Sequence, residues 1–338
     1  MLNYAIIGLG GLGKVHFRNY FEIKDKFKSD INLVALCDVD ETQFTKEITT
    51  NLGGDTTPID VSAFNLYTDV DELLAKEKLD FVVTALPTYI HETVAVKVMD
   101  KGIHVFSEKP MAISVETCKN MIEAAKRNNV KLQIGQCCRF ESPRVNLKKV
   151  LDEGKFGKVI RAEFSRFSPK PLWSWENWIL DYEKSGGAVL DLHVHDVDTM
   201  QWLFGKPKSV ISAASHVKDK YESICSNFIY DGFYVTTMTD WSMAKTTSFV
   251  VRGIVNCEKA TLEMKDDGSV CVYPEDGEVY SIPCAEYNNM YVAEILEFID
   301  CIENNRDSEV INPESTMLTV ELSYAEKESA EKGVMVYV

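Results

Sequence analysis

Residues 4–16 read YAIIGLGGLGKVH, and the fold turns on how they are understood. Tyr4 to Ile7 is a short run of β-formers that stops at Gly8, and an amphipathic stretch starts at Gly11. Gly8, Gly10 and Gly13 therefore make G-x-G-x-x-G between a strand and a helix, the context in which that spacing binds a dinucleotide. The first two glycines allow a tight turn and close approach of backbone to a pyrophosphate, and the third lets helix and strand pack closely. The helix N-terminus then meets the anion with unpaired amides and the positive end of its dipole. Leu9, Gly11 and Leu12 complete the turn expected to hold the cofactor.

Asp38 follows 25 residues after Gly13, at the end of the second β-rich run, where a carboxylate can accept hydrogen bonds from an adenosine ribose diol. The alternative is a solvated strand-end acid. Val39 and Asp40 come next, with no arginine or lysine beside them to hold a 2′-phosphate, so NAD is expected in preference to NADP.

Outward from this turn, short β-rich runs at 4–7, 31–37, 80–84, 103–107 and 132–135 alternate with amphipathic stretches at 11–20, 69–77, 91–101 and 115–128. Parallel strands linked by helices have this pattern, and right-handed crossovers make it a doubly wound sheet. After about Phe140 the pattern changes. One long helical stretch, Val189 to Phe204, precedes short strands such as Phe249 to Val255, punctuated by turns at Asp231-Gly232, Asp267-Gly268 and Asp276-Gly277. Closing helices are expected at about 287–304 and 313–332, with Pro313 in a first-turn position. The expected division is a dinucleotide-binding domain over residues 1–136 and an α/β domain with a large, mostly antiparallel sheet over 137–338.

Bulk properties narrow the function. At 338 residues the chain is long enough for two domains. With 45% apolar and 26% charged residues, it has the balance of a globular protein. A net charge of −16 repels phosphate backbones and anionic lipid, which argues against nucleic-acid and membrane partners. No apolar run reaches the roughly 18 residues a bilayer span needs, and no basic segment precedes the apolar start. Nine scattered cysteines without a C-x-x-C pair suit reduced thiols, so a cytoplasmic location is expected.

Two further segments carry chemistry. Residues 102–111, GIHVFSEKPM, run a strand into Glu108, Lys109 and Pro110 at the edge where doubly wound sheets bind ligands. Lys109 can there reach the reacting end of a dinucleotide; the alternative is a solvent-facing lysine. Residues 186–205, GGAVLDLHVHDVDTMQWLFG, place Asp191 and His195 four apart on one helix face, with Asp198 a turn further and His193 turned about 200° away. A carboxylate against an imidazole fixes its tautomer and raises its basicity, as a general base requires, though such a pair can equally be structural. His193, His195, Asp196 and Asp198 also crowd into six positions, as in the histidine-aspartate strings of zinc hydrolases, but the next histidine is missing and the surroundings read as helix, so no metal is expected. Trp173, Trp175 and Trp178 precede this helix and either stack on sugar C–H surfaces or seal a domain joint.

Taken together, the glycine turn, Asp38, Pro87-Thr88 with His91, Glu108-Lys109-Pro110, and Asp191 with His195 resemble the Gfo/Idh/MocA oxidoreductase family over nearly the whole chain. The resemblance implies an N-terminal Rossmann domain and a C-terminal domain whose open-faced sheet forms a subunit contact, giving a homodimer or homotetramer. It implies that Ala85, Leu86, Pro87, Thr88 and His91 line the dinucleotide cleft, with Glu108 and Lys109 by the nicotinamide ribose. It further implies a catalytic group of Lys109, Asp191 and His195. The substrate would be a sugar, a polyol such as an inositol, or a sugar derivative, and Arg139 and Trp178 are candidates to bind it beside the catalytic three. Residues 51–65, NLGGDTTPIDVSAFN, and the pair Cys137-Cys138 depart from the family pattern. The rival readings are a non-catalytic NAD-binding regulator of the same fold and a metal-dependent hydrolase.

Overall fold

A computed structural model describes residues 1–47, 57–217 and 220–338. The unassigned stretch at 51–65 thus lies partly outside the described residues. Two compact units emerge: residues 1–135, 172–185 and 291–317 form one, and residues 136–171, 186–290 and 318–338 the other.

The first unit contains a parallel sheet of β1 (Leu2–Ile7), β2 (Ile31–Cys37), β3 (Asn65–Tyr67), β4 (Phe81–Thr84), β5 (His104–Glu108) and β6 (Leu132–Gly135). Its strand order is β3-β2-β1-β4-β5-β6, that of the dinucleotide-binding doubly wound fold. Four helices connect these strands: α1 (Gly11–Lys26), α2 (Val70–Lys76), α3 (His91–Met99) and α4 (Val115–Asn128). Ile6, Val82, Val105 and Phe106 are fully buried, which is why these strands read as continuous apolar runs. Local chemistry sets the helix ends: Asp69 caps α2 through Glu72 N, and Ser114 with Thr117 forms a capping box on α4. The sequence pattern missed β3, a three-residue strand with little buried surface.

The rest of the chain adds α5 (Ser142–Asp152), β7 (Val159–Pro169), α6 (Tyr182–Ser185), α7 (Gly187–Asp191) and α8 (Val194–Phe204). Strands β8 (Ser209–Val217), β9 (Lys220–Ile229), β10 (Tyr234–Met243), β11 (Val250–Cys257), β12 (Ala260–Met264), β13 (Val270–Pro274) and β14 (Tyr280–Ile282) follow. The chain closes with α9 (Met290–Glu303), α10 (Pro313–Lys332) and β15 (Val336–Tyr337). The second unit's nine-stranded sheet has the order β14-β13-β12-β11-β7-β10-β9-β8-β15. β7 pairs in parallel with β10, and the other pairs among the described residues are antiparallel, as expected. Alternating burial along β10 gives the sheet one packed face, on which Val197, Met200 and Leu203 of α8 meet Phe164, Phe228, Val255 and Leu262. The three Asp-Gly turns have their glycines at φ +84°, +79° and +110°.

The long helix expected over 189–204 is two helices. Leu192 N and His193 N both donate to Ala188 O, so one wider turn separates α7 from α8. α5, with Pro143 in its first turn, was not expected from the sequence.

Candidate functional site

In the first unit the candidate residues share one edge of the sheet, because parallel strands end on the same side: Gly8 after β1, Asp38 after β2, Ala85 after β4 and Lys109 after β5. The glycines differ in why they are glycines. Gly8 sits at φ +92°, and a Cβ there would lie 2.4 Å from Ala85 O; one on Gly13 would lie 1.9 Å from Gly8 O. Both positions are closed by backbone. A Cβ on Gly10 meets nothing within 4 Å, and Gly10 is the N-cap of α1 without a side-chain cap, so the first amides of a 16-residue helix open onto space. A pyrophosphate fits such a cradle. Leu9 contributes its backbone alone: its side chain is buried, and its amide donates to Asp38 Oδ2 at 2.7 Å.

Asp38 Oδ1 accepts from Asp40 N at 2.9 Å, which fixes the carboxylate at the strand end. Burial raises its pKa, opposed by those two amides and by the charge of Lys14. Lysines do attend this corner, contrary to the sequence reading. The chain turns back after Asp40, so Lys46 pairs with Asp40 at 3.1 Å, and the buried Lys14 donates to Lys46 O at 2.9 Å. Local sequence showed neither, because both contacts arise from the return of the turn at Glu41–Phe44.

Ala85, Leu86 and Pro87 are half-buried at the end of β4, and Thr88 is buried. His91 is buried too, with Nε2 2.8 Å from Leu86 O and Nδ1 2.9 Å from Pro110 O; burial lowers its pKa. It staples the two loops together, where the resemblance had it lining the cleft. Glu108 also departs from its expected place. Side chains alternate along a strand, so Glu108 shares the face of Phe106 and turns toward α1, where Oε1 meets His16 Nε2 at 2.7 Å. Its other oxygen accepts from Lys109 N at 3.2 Å, and Glu294 joins this buried group within 4.8 Å. Lys109, the next residue, is half-buried. Trp178 is half-buried and Trp175 is 41% exposed in the 3₁₀ segment Trp175–Leu180, which clusters with the first unit.

In the second unit Asp191 ends α7 and His195 lies in the first turn of α8, both half-buried. The contact that the sequence did not disclose is His195 Nδ1 at 3.6 Å from Cys138 Sγ, across 57 positions. His193 is buried with Nδ1 2.9 Å from Glu326 Oε1, a structural task in keeping with its weaker candidacy. Asp198 and Arg139 are spent on each other: Nε and Nη2 of the guanidinium donate to the two carboxylate oxygens at 2.9 and 2.7 Å, and Thr319 Oγ1 adds a third bond at 2.8 Å. At 2% exposure Arg139 is a core ion pair, which replaces the substrate contact expected of it. Asp196 likewise holds Arg166. Around Cys138, its neighbour Cys137 and the charges of Arg144, His195 and Arg166 hold the thiol well below the usual range against the opposing effect of burial. Cys118, buried without such cations, is pushed up to about 12.

A Rossmann strand order, a glycine turn closed at Gly8 and Gly13 but open at Gly10, and an acid at the end of β2 define a dinucleotide-binding protein. Comparison with known proteins makes the class specific. Residues 2–136 match the model of an oxidoreductase family with an NAD-binding Rossmann fold, and residues 145–263 match the GFO/IDH/MocA C-terminal domain. The chain belongs to the Gfo/Idh/MocA oxidoreductase family, and its first domain is of the NAD-binding kind. Inositol 2-dehydrogenase of Salmonella typhimurium is 25% identical over 263 residues, 76% of this chain and 68% of the relative. A 2,7-anhydro-N-acetylneuraminate hydratase of Mediterraneibacter gnavus is 30% identical over 157 residues, 46% of this chain. The matches span 42% of that hydratase and 56% of an uncharacterized oxidoreductase of Streptococcus pneumoniae. A levoglucosan dehydrogenase solved with NADH and levoglucosan shares the fold at TM-score 0.85 and 17% identity, over 100% of this chain and 99% of that one. Among the described residues, no helix is long and apolar enough to cross a membrane.

Proposed function

We propose that this protein transfers a hydride between nicotinamide and a secondary alcohol carbon of a sugar, polyol or sugar derivative, with Lys109, Asp191 and His195 as its catalytic group. One observation carries the reading: the open cradle at Gly10 and the half-buried Lys109 end neighbouring parts of a single sheet edge, two strands apart. Relatives that act on an inositol and on an anhydro sugar support the substrate class.

Bound NAD supplies the hydride acceptor. The amides at the start of α1 take the pyrophosphate, and Asp38 takes the adenosine ribose. NAD is preferred over NADP because the Asp38 carboxylate repels a 2′-phosphate, and Lys46 is already neutralised by Asp40. His195 accepts the hydroxyl proton at Nε2, since Nδ1 faces Cys138. The Asp191 carboxylate offsets the positive charge that the imidazole gains, and the Lys109 ammonium hydrogen-bonds the reacting oxygen as negative charge develops on it. A regulator of the same fold would need none of these proton-transfer groups. We further propose a homo-oligomer in the cytoplasm.

A panel of inositols, hexoses, anhydro sugars and sugar acids, read by NADH absorbance and by product mass, tests the reading. Product mass is included because a relative is a hydratase. His195→Ala and Lys109→Ala are each expected to lower turnover by about 10² to 10⁴ on the active substrate. Wild-type rates in both variants would remove their roles, and tight NAD binding with no turnover on any substrate would favour the regulator.

A further inference from the structure

Cys137 and Cys138 open a 3₁₀ turn, Cys137–Phe140, in the second unit, and the family resemblance gives this pair no task. Their sulfurs and an imidazole nitrogen of His195 all lie within 4.8 Å of one another. The measured edge of that triangle, Cys138 Sγ to His195 Nδ1, is 3.6 Å. A tetrahedral zinc ion about 2.3 Å from sulfur and about 2.05 Å from nitrogen holds two such ligand atoms roughly 3.6 Å apart. The spacing is that of neighbouring ligands on one ion.

We propose that Cys137 Sγ, Cys138 Sγ and His195 Nδ1 form a binding site for a thiophilic divalent cation of the zinc class, with a fourth position open to water or another oxygen ligand. Two sulfurs and one imidazole select a soft or borderline cation over magnesium or calcium. The surroundings are those of a built site. Arg166 Nη2 lies 3.8 Å from Cys138 Sγ, and Asp196 fixes Arg166 through contacts of 3.1 and 3.3 Å, the outer layer that orients metal-bound thiolates. A divalent ion with two thiolates is neutral, so the Arg166–Asp196 and Arg144–Glu141 pairs keep their charge balance. Each thiol that is protonated before binding gives its proton to solvent as the metal–sulfur bond forms.

The histidine-rich string read from the sequence is not the ligand set. Its His193, Asp196 and Asp198 are engaged by Glu326, Arg166 and Arg139, and His195 alone is shared with the new site. Occupancy has a consequence that rests on the catalytic reading above. With the Nδ1 lone pair on the ion, the ring proton sits on Nε2, and that nitrogen cannot accept another.

Titration of the reduced, metal-stripped full chain with Co²⁺ tests the site without any substrate. The expected result is one Co²⁺ per chain, with a sulfur-to-cobalt charge-transfer band and the visible bands of tetrahedral cobalt, both bleached by stoichiometric Zn²⁺. Cys137→Ser and Cys138→Ser should each lose at least half of the charge-transfer intensity, while Cys284→Ser, outside the cluster, should keep it. Absence of the band in the wild-type chain overturns the proposal whether or not a variant folds, as does a band of undiminished intensity in Cys138→Ser. Once a substrate is known, Zn²⁺ should lower turnover about 100-fold or more at saturation. A full cobalt spectrum with unchanged turnover upholds the site and removes His195 as the base; turnover with no cobalt spectrum does the reverse.

Discussion

The glycine turn of the first unit and the cluster around His195 in the second are built by opposite means. The turn is backbone work: Gly13 is closed by the carbonyl of Gly8 and Gly8 by that of Ala85 at the end of β4, while Gly10 is left open. The cluster is side-chain work done across the chain, where Cys138 meets His195 over 57 positions and Arg139 meets Asp198 over 59. The first kind of site is fixed by which residue can adopt a conformation. The second depends on charges and thiols that satisfy one another only after the sheet has formed, and that difference predicts how each should fail.

The largest expected effect lies in the second unit. Arg139→Ala leaves the carboxylate of Asp198 buried without its cation, and denaturant unfolding should show a loss of about 3–5 kcal/mol. A loss under about 1 kcal/mol would mean that this pair does not hold the unit. Next comes Gly13→Ala, whose methyl would need backbone to move; stability should fall by about 1–3 kcal/mol and NAD binding should vanish in a fluorescence titration. Gly10→Ala sharpens the contrast, because its methyl meets no protein atom: the melting curve should shift by no more than about 0.5 kcal/mol while NAD affinity falls about tenfold or more. If both alanines behave alike, the cradle is not where the cofactor lies.

Asp38→Asn should weaken NAD binding by about 1.5 kcal/mol or more, measured by calorimetry, through loss of a charged acceptor. Because burial raises the pKa of Asp38, the wild-type affinity should decline with falling pH before an ordinary aspartate would titrate. The cofactor-free fold, relieved of a buried charge, should gain stability through the same window. The smallest effect is reserved for the exposed Lys126–Glu314 pair, where Lys126→Ala should leave the urea unfolding midpoint unchanged.

Much of the first unit was legible because its signals are local. Capping by Ser114 marks the start of α4 at Val115, and Pro313 marks that of α10, so both helices fall where the sequence put them. The residues at 4–16, together with Asp38 at the end of the second strand, carried the cofactor class. What escaped notice was set by partners distant in the chain. Glu108 reads as a strand-end acid until Phe106 shows which face it shares, and His91 reads as a cleft residue until Pro110 O comes within 2.9 Å. The i, i+4 rule applied to Asp191 and His195 presumed an unbroken helix, and the wider turn at Ala188–His193 removes that premise. Segments 172–185 and 291–317 rejoin the first unit by packing that no periodicity announces.

The centre of the nine-stranded sheet also orders events in time. β7, at residues 159–169, is flanked by β10 and β11, which end at residues 243 and 257. A ribosome must therefore deliver dozens more residues before either flank of β7 can be covered, and until then both rows of its amides and carbonyls are open to strangers. Strands β8 to β10 and β11 to β14 can grow as hairpins, so it is the central strand, and not the flanks, that waits longest for its neighbours.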